Sequence, residues 1–230
     1  MTAADAAATM RATWWRTWYV AARRLVEPFP LSLLQLGMRV AIGLVFLNSG
    51  RLKVNSFEFA IRLFRDEYDL PIIDPVLAAQ VATFVEVTVP MFLFAGLATR
   101  LATLPLLAMT AVIQILVFPQ AWPTHVLWAS ILVFLLSRGP GVLSIDHVIE
   151  TYVKGELSSA RVWPYALVVG SLSLTIGLAI AAFPQLLLGA RDIAPAVNWS
   201  FIILALAAFV VAYFGGVRDH SRTVVRVEAD

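Results

Sequence analysis

Two charged residues lie inside long apolar stretches, where no water is available to solvate them. Arg39 falls within the apolar segment that begins at Leu31, and Glu86 falls within the next such segment. A charge in the interior of a bilayer costs a few kcal/mol, so it normally faces a partner or a cavity. These two residues could supply that partner to each other, or together bind a proton, a lipid headgroup or a quinone.

Helical spacing supports a contact between Arg39 and Glu86. Counted from the predicted inner ends of two antiparallel helices, they lie at depths of about 12 and 16 Å. Arg39 shares a stripe with Gly43, Phe46, Gly50 and Lys53, and Glu86 shares one with Ala79, Ala82 and Pro90. Small residues permit close helix approach. We therefore predict an Arg39–Glu86 interaction inside a bundle, either as a structural ion pair or as a site that titrates or binds a ligand.

Several other polar residues are secondary candidates: Lys53, Arg100, Gln114, His125 and Asp146. Gln114 is expected to hydrogen-bond between helices, and His125 to lie at the outer mouth of the bundle. No set of His, Asp and Glu has the spacing of a metal site. The chain has no cysteine, which excludes a disulfide framework and a thiolate metal site. It also lacks the glycine motifs of nucleotide sites and a nucleophile elbow.

The elements that must position these residues are membrane helices. Hydrophobic residues make up 60% of the 230 residues and charged residues only 14%, and the mean hydropathy is +0.82. A soluble domain carries about 25% charged residues. Six apolar segments approach the roughly 20 residues that cross a bilayer; they cover residues 31–50, 76–97, 99–118, 121–137, 162–189 and 198–214. The predicted fold class is an all-α, polytopic transmembrane bundle.

The placement of charged and aromatic residues predicts topology. Lys and Arg are concentrated on the side of the membrane that holds both chain termini. The N-terminus and the C-terminus are therefore expected in the cytoplasm. With a net charge of +2, we read this bias as topology and expect no nucleic-acid partner. Residues 11–26 mix aromatics with arginines, which is typical of an interfacial helix, the alternative being an arm that docks on a partner. Phe57 to Tyr68 is predicted to form an amphipathic cap over the outer end.

Three motifs follow one another along the predicted helices. The first helix reads R-V-A-I-G-L-V-F-L-N-S-G-R-L-K from Arg39 to Lys53. The second supplies Glu86, followed by G-L-A-T-R ending at Arg100. The fourth ends in R-G-P-G-V-L-S-I-D, from Arg138 to Asp146. In this order the motifs resemble those of the DoxX family. In physical terms, the glycines suit turns and helix ends, Arg100 suits a headgroup anchor, and Ser144 or Asp146 can cap the following helix.

The resemblance covers a four-helix core at about residues 31–147, with its outer amphipathic segment at 51–75. Composition and hydropathy predict the parts outside it: an interfacial segment at residues 1–30, a two-helix hairpin at 148–216 and a polar cytoplasmic tail at 217–230. The expected location is the bacterial cytoplasmic (inner) membrane.

The resemblance also implies a membrane subunit in redox or stress physiology, and three readings stay open. The first is an accessory or anchoring subunit of a redox, oxidative-stress or metal-stress detoxification system, with a protein partner. The second is a membrane subunit of a quinone-linked oxidoreductase, in which Arg39 and Glu86 handle protons or the quinone oxygen. The third is a small-molecule transporter whose path passes that pair. The sequence identifies no certain cofactor; a quinone is the one that the second reading requires.

Overall fold

A computed structural model describes residues 31–154, 163–183 and 197–212, and these contain helices and no strand. In chain order the helices are α1 (Leu31–Asn55), α2 (Phe57–Leu63), α3 (Pro75–Ala95), α4 (Thr99–Val112), α5 (Trp122–Arg138), α6 (Ile145–Val153), α7 (Trp163–Ala182) and α8 (Val197–Ala212). Wider π-helical turns extend α2 over Phe64–Tyr68 and α4 over Ile113–Val117. The predicted all-α fold class is confirmed.

Five of the described helices are long and apolar enough to cross a membrane. They are α1, α3, α4 with its π-helical extension, α5 with the short turn before it, and α7. The sixth predicted span corresponds to α8, which is apolar but shorter than the other five. The predicted N-terminal interfacial helix and the polar tail lie outside the described residues.

Local sequence explains where the central helices begin and end. The side chain of Asp74 caps α3 by accepting hydrogen bonds from Val76 N at 2.9 Å and Leu77 N at 3.1 Å. Pro75 occupies the first turn, where its missing N–H is not needed. The helix ends at Gly96, whose φ of 64° is left-handed and suits glycine. This stop turns the chain directly into α4.

The core is formed by α1, α3, α4 and α5, whose apolar side chains meet in one cluster: Ile42, Phe46, Leu93, Ala102, Leu106, Leu132 and Leu135. Helix α7 joins it from the side, with Leu178 and Ala182 packed on Leu47 and Phe94. Many large apolar side chains on the outer faces are exposed, for example Phe84 at 68% and Leu101 at 70%. Lipid tails suit such a surface, as expected for a bundle whose solvent is the bilayer.

The amphipathic segment after α1 packs on α3. Ala60 and Phe64 are buried against Ala78, Ala79 and Ala82 of α3. Phe57 and Ile61 pack on the same cluster, whereas Arg62 and Arg65 are exposed. The segment therefore covers the beginning of α3 with its apolar face.

Candidate functional site

The two buried charges of the sequence prediction lie in different clusters. Three close approaches show how α1 and α3 are aligned: Gly43 lies against Phe94, Gly50 against Glu86, and Gly96 against Arg39. Helix α1 therefore extends about two turns beyond the end of α3 at the Arg39 end. The sequence prediction assumes that the two helix ends are level. Because α1 extends further, Glu86 lies beside Gly50 and far along α1 from Arg39, and the predicted Arg39–Glu86 pair is wrong.

Glu86 pairs with Lys53. The ammonium of Lys53 lies 2.8 Å from Oε2 and 3.0 Å from Oε1 of Glu86. Ser49 completes the group, because its hydroxyl donates to Glu86 Oε1 at 3.1 Å and accepts from Lys53 Nζ at 2.8 Å. Both charged side chains are under a tenth exposed. The result is a closed ion pair between one turn of α1 and the facing turn of α3, which we call the Lys53–Glu86 cluster.

Arg39 is fully buried, with 0% exposure, and its guanidinium binds the backbone. Nη1 donates to the Leu93 carbonyl at 3.2 Å, and Nη2 donates to the Leu143 carbonyl. These carbonyls belong to the end of α3 and to the loop between α5 and α6. A guanidinium can join two such segments because its N–H donors lie in a fixed plane. Arg39 thus fastens the α5–α6 loop to the core.

Asp146 holds the same junction from the loop side. Its carboxylate accepts Ala98 N at 2.7 Å on Oδ1 and Thr99 N at 2.9 Å on Oδ2. Its own N–H donates to the Gly96 carbonyl at 2.9 Å. Asp146 therefore caps the beginning of α4, which is distant in sequence. We call this set, with Arg39, the Arg39–Asp146 junction.

Residues that were not singled out as site candidates complete the junction. Gln35 donates to the Gly139 carbonyl at 3.0 Å, and Ser32 accepts Val142 N at 3.3 Å. Ser144 caps α6, as suggested from the sequence, by accepting His147 N at 3.2 Å. The signal for Gln35 was present, since it lies one turn before Arg39 in an apolar helix. The Arg39, Gly-Leu-Ala-Thr-Arg and Gly-Pro-Gly motifs therefore meet at one end of the bundle.

Gln114 and His125 meet near the opposite end. His125 Nδ1 and Gln114 Oε1 are 2.7 Å apart, and Gln114 Nε2 donates to the Pro119 carbonyl at 2.9 Å. His125 is only 5% exposed, and its ring lies 5.3 Å from that of Trp128. The expected interhelical hydrogen bond of Gln114 is thus present, with His125 as its partner. Nothing in this contact requires a ligand.

The remaining candidate, Arg100, lies at the edge of an open cleft. The cleft has a volume of about 570 Å³ and lies between the beginnings of α1 and α4 and the α5–α6 loop. Among the described residues, no group of three or more His, Asp or Glu side chains could hold a metal ion. Lys53, Asp146, Gln114 and His125 each join one of the contacts described above.

The helices and their buried charges define a multi-pass α-helical membrane protein. Residues 34–119 match the family model described as DoxX, which confirms the suspected DoxX resemblance over α1 to α4. The match ends before α5, so the likeness of the Gly139–Gly141 and Asp146 motif to the family stays a prediction. No curated protein and no solved structure matches the chain significantly.

Proposed function

We propose that this chain is an accessory or anchoring membrane subunit of a redox, oxidative-stress or metal-stress detoxification system. Its partner, a soluble protein of that system, would bind at the end of the bundle formed by the Arg39–Asp146 junction and α6. The predicted topology places this end in the cytoplasm of a bacterial cell, at the inner membrane.

One observation carries the proposal: in the described part of the chain, the buried carboxylate of Glu86 and the half-buried carboxylate of Asp146 both find their hydrogen-bond partners within the chain. Glu86 accepts hydrogen bonds from Lys53 and Ser49, and Asp146 accepts two backbone N–H groups. A carboxylate that serves a reaction or a transported ion needs an open position for that ligand. These two act instead as structural ties, which favours a functional surface outside the bundle.

Helix α6 offers such a surface. Ile149, Tyr152 and Val153 are exposed by 47%, 72% and 77%. Their spacing of three and four residues places them on one face, next to an exposed Glu150–Lys154 ion pair of 2.6 Å. An apolar stripe with a charged border has the composition of a protein-docking surface.

Because the chain has no cysteine, single cysteines can test the proposal. We would place a thiol-linked photocrosslinker at Tyr152→Cys in native membranes and identify the adducts by mass spectrometry. The matched control is Ile72→Cys, which is 92% exposed at the other end. We expect a soluble redox or detoxification protein to be crosslinked at Tyr152→Cys and not at Ile72→Cys.

The same two variants test the topology. A membrane-impermeant thiol reagent should label Ile72→Cys in intact cells and Tyr152→Cys only after the membrane is opened. Adducts at Tyr152→Cys that contain only lipid would contradict the anchoring role. Labelling of Tyr152→Cys in intact cells would contradict the predicted orientation.

A quinone-linked oxidoreductase subunit is the second candidate, favoured by the aromatic side chains near the Lys53–Glu86 cluster. The rings of Phe64 and Tyr68 are 4.7 Å apart, and Tyr68 lies within electrostatic reach of Glu86. A soluble quinone analogue should then bind the purified protein and fail to bind a Lys53→Met/Glu86→Gln variant. Equal binding to both proteins would exclude this site.

The third reading, a small-molecule transporter, is disfavoured. Ile42 and Phe46, each at most 2% exposed, lie along α1 between the two clusters, so buried apolar side chains fill the route that would join them.

A further inference from the structure

The cleft beside Arg100 is lined by charged side chains that belong neither to the Lys53–Glu86 cluster nor to the hydrogen bonds of the Arg39–Asp146 junction. Its wall is built from the first residues of α1 and α4, the last residue of α5, the loop that follows it and the first two turns of α6. Arg100 and Arg138 both line it and both are exposed. A Cβ placed on Gly139 would lie 3.5 Å from Arg100 Nε, so the guanidinium of Arg100 lies beside the residue that follows Arg138. Two guanidinium-bearing residues thus border the same cleft.

The carboxylates of the cleft are engaged elsewhere. Both oxygens of Asp146 accept backbone N–H groups of the α3–α4 turn. Glu150 is bonded to Lys154, and this hydrogen bond, followed by the charge of Lys154, lowers the pKa of Glu150. Within the described part of the chain, neither Arg100 nor Arg138 forms an ion pair. Asp146 and Glu150 line the cleft as well, and the charge of Arg100 helps to lower the pKa of Glu150. Among the described residues, however, the guanidinium groups of Arg100 and Arg138 donate to no side chain, so their N–H donors are available to a ligand.

The border of the cleft is apolar on the side that faces the bilayer. Leu31 and Leu101 line it and are exposed by 53% and 70%, and Leu34 and Leu104 continue these faces one turn further along the helices. Arg100 and Arg138 lie at helix ends, where a spanning helix meets the headgroup layer. A molecule in this cleft could place an anionic group on the arginines and hydrocarbon chains along the leucines.

We propose that the Arg100 cleft binds the phosphate of an anionic lipid headgroup, with the acyl chains lying along the exposed leucines of α1 and α4. Basic pockets at the ends of transmembrane helices recognise lipid phosphates in this way. Arginine suits the site because its planar donors can bind two phosphate oxygens at once. The bound lipid would be a fixed component of the bundle at the same end as α6.

The test is native mass spectrometry of the purified full chain after exchange into mixed micelles with equal amounts of phosphatidylglycerol and phosphatidylcholine. We expect one phosphatidylglycerol to stay bound to the unaltered protein, in preference to phosphatidylcholine. In an Arg100→Gln/Arg138→Gln variant, retention should fall roughly 10- to 30-fold, since each of the two arginines near a membrane surface contributes a factor of about 5. The matched control, Arg62→Gln/Arg65→Gln, removes two exposed arginines from the opposite end and should leave retention unchanged.

Three results would overturn the proposal. Equal retention of the anionic and the zwitterionic lipid by the unaltered protein would show that charge is not recognised, and this comparison needs no substitution to fold. Equal loss in both double variants would show a general effect of net charge. Inorganic phosphate that binds the lipid-free protein, and that displaces the lipid from the lipid-bound protein, would identify a site for a free anion.

Discussion

The two ends of the bundle hold a buried charge in different ways. At the Lys53–Glu86 cluster, two side chains of opposite charge meet at 2.8 Å, and each is the main partner of the other. At the Arg39–Asp146 junction, the charged groups bind backbone atoms: Arg39 binds the carbonyls of Leu93 and Leu143, and Asp146 binds the N–H groups of Ala98 and Thr99.

This difference separates two uses of a buried charge. A pair of side chains joins two helices, and both members can be replaced together by apolar groups of similar size. A charge bound to the backbone also fixes the path of a loop, and no second substitution can remove its partners. The junction should therefore be the less tolerant end, and four experiments can break or sharpen this comparison.

The largest effect is expected for Gly96→Val. A Cβ at Gly96 would collide with Arg39 Nη1 and would lie 2.5 Å from Ser144 Cβ, in a backbone conformation with a φ of 64°. The new side chain would expel the Arg39 guanidinium from a fully buried position. We expect a destabilisation of about 5 kcal/mol or more, with little folded protein. Thermal unfolding in detergent and the yield of monodisperse protein measure it.

Gly37→Ala is the matched control for Gly96→Val. No atom lies within 4 Å of a Cβ at Gly37, which is inside α1. Alanine is the better helix former, so the stability should stay unchanged or rise by up to about 1 kcal/mol. A Gly96→Val protein as stable as Gly37→Ala would contradict the described junction.

Lys53→Met should have the next largest effect, because it leaves the carboxylate of Glu86 buried without its cation. The loss should be about 3 to 4 kcal/mol, the cost of removing one member of a buried pair. Adding Glu86→Gln should restore most of the stability. Chemical unfolding of the two single variants and the double variant, analysed as a double-mutant cycle, measures the coupling.

The same cycle at the other end supplies the contrast. The Arg39→Met/Asp146→Asn double variant should regain little of the stability lost in the single variants. Each residue binds backbone groups, and substituting the other residue leaves those groups unpaired. If the Arg39→Met/Asp146→Asn variant regained as much stability as the Lys53→Met/Glu86→Gln variant, the two ends would not differ in the way proposed.

Asp146→Asn alone should have a smaller effect. The asparagine amide keeps one acceptor oxygen, but its NH₂ group would face one of the two N–H donors at Ala98 and Thr99. We expect a loss of about 2 kcal/mol, the cost of leaving a buried donor without a partner. Asp66→Asn, an exposed carboxylate on the cap, should change stability by less than about 0.5 kcal/mol. Equal thermal midpoints for these two variants would contradict the capping role of Asp146.

Much of the fold could be predicted from the sequence, because the length and polarity of a membrane helix are set by the bilayer. Helical spacing also predicts the stripe of α1 on which Lys53 lies. It does not predict the pairing of Lys53 with Glu86, because hydropathy does not reveal how far one helix extends beyond its neighbour. Level helix ends would place Glu86 near the height of Arg39. The observed offset of about two turns places it instead at the height of Ser49, to which it is hydrogen-bonded.

The contacts of the polar candidates were harder to predict than the helices. Gln114 and His125 flank the short connection between α4 and α5, so a tight helical hairpin could have suggested their contact. The partners of Arg39 and Asp146 are backbone atoms, which every residue has, so side-chain types carry no signal for them. A buried charge near a glycine turn is the nearest indication the sequence offers.

The smallest effect concerns Tyr68, which reports on the charge at the Lys53–Glu86 cluster from the cap above it. Burial raises the pKa of Tyr68 above its ordinary value of 10.0, and the negative charges of Glu86 and then Glu67 raise it further. The folded protein therefore keeps a proton that the unfolded chain loses. The contribution of Tyr68 to stability is full below pH 10 and is lost as the pH rises through the raised pKa.

An alkaline titration of tyrosinate absorbance, compared with that of Tyr68→Phe, isolates this residue from the other tyrosines. In the Lys53→Met/Glu86→Gln variant the pKa of Tyr68 should move down toward its ordinary value but stay above it, because burial persists. Glu67→Gln should move it less, since Glu67 contributes less than Glu86. An unchanged Tyr68 titration in the double variant would mean that the charges of Lys53 and Glu86 have no net effect at Tyr68, and this side-chain pair would then act on the cap through packing and hydrogen bonds rather than through charge.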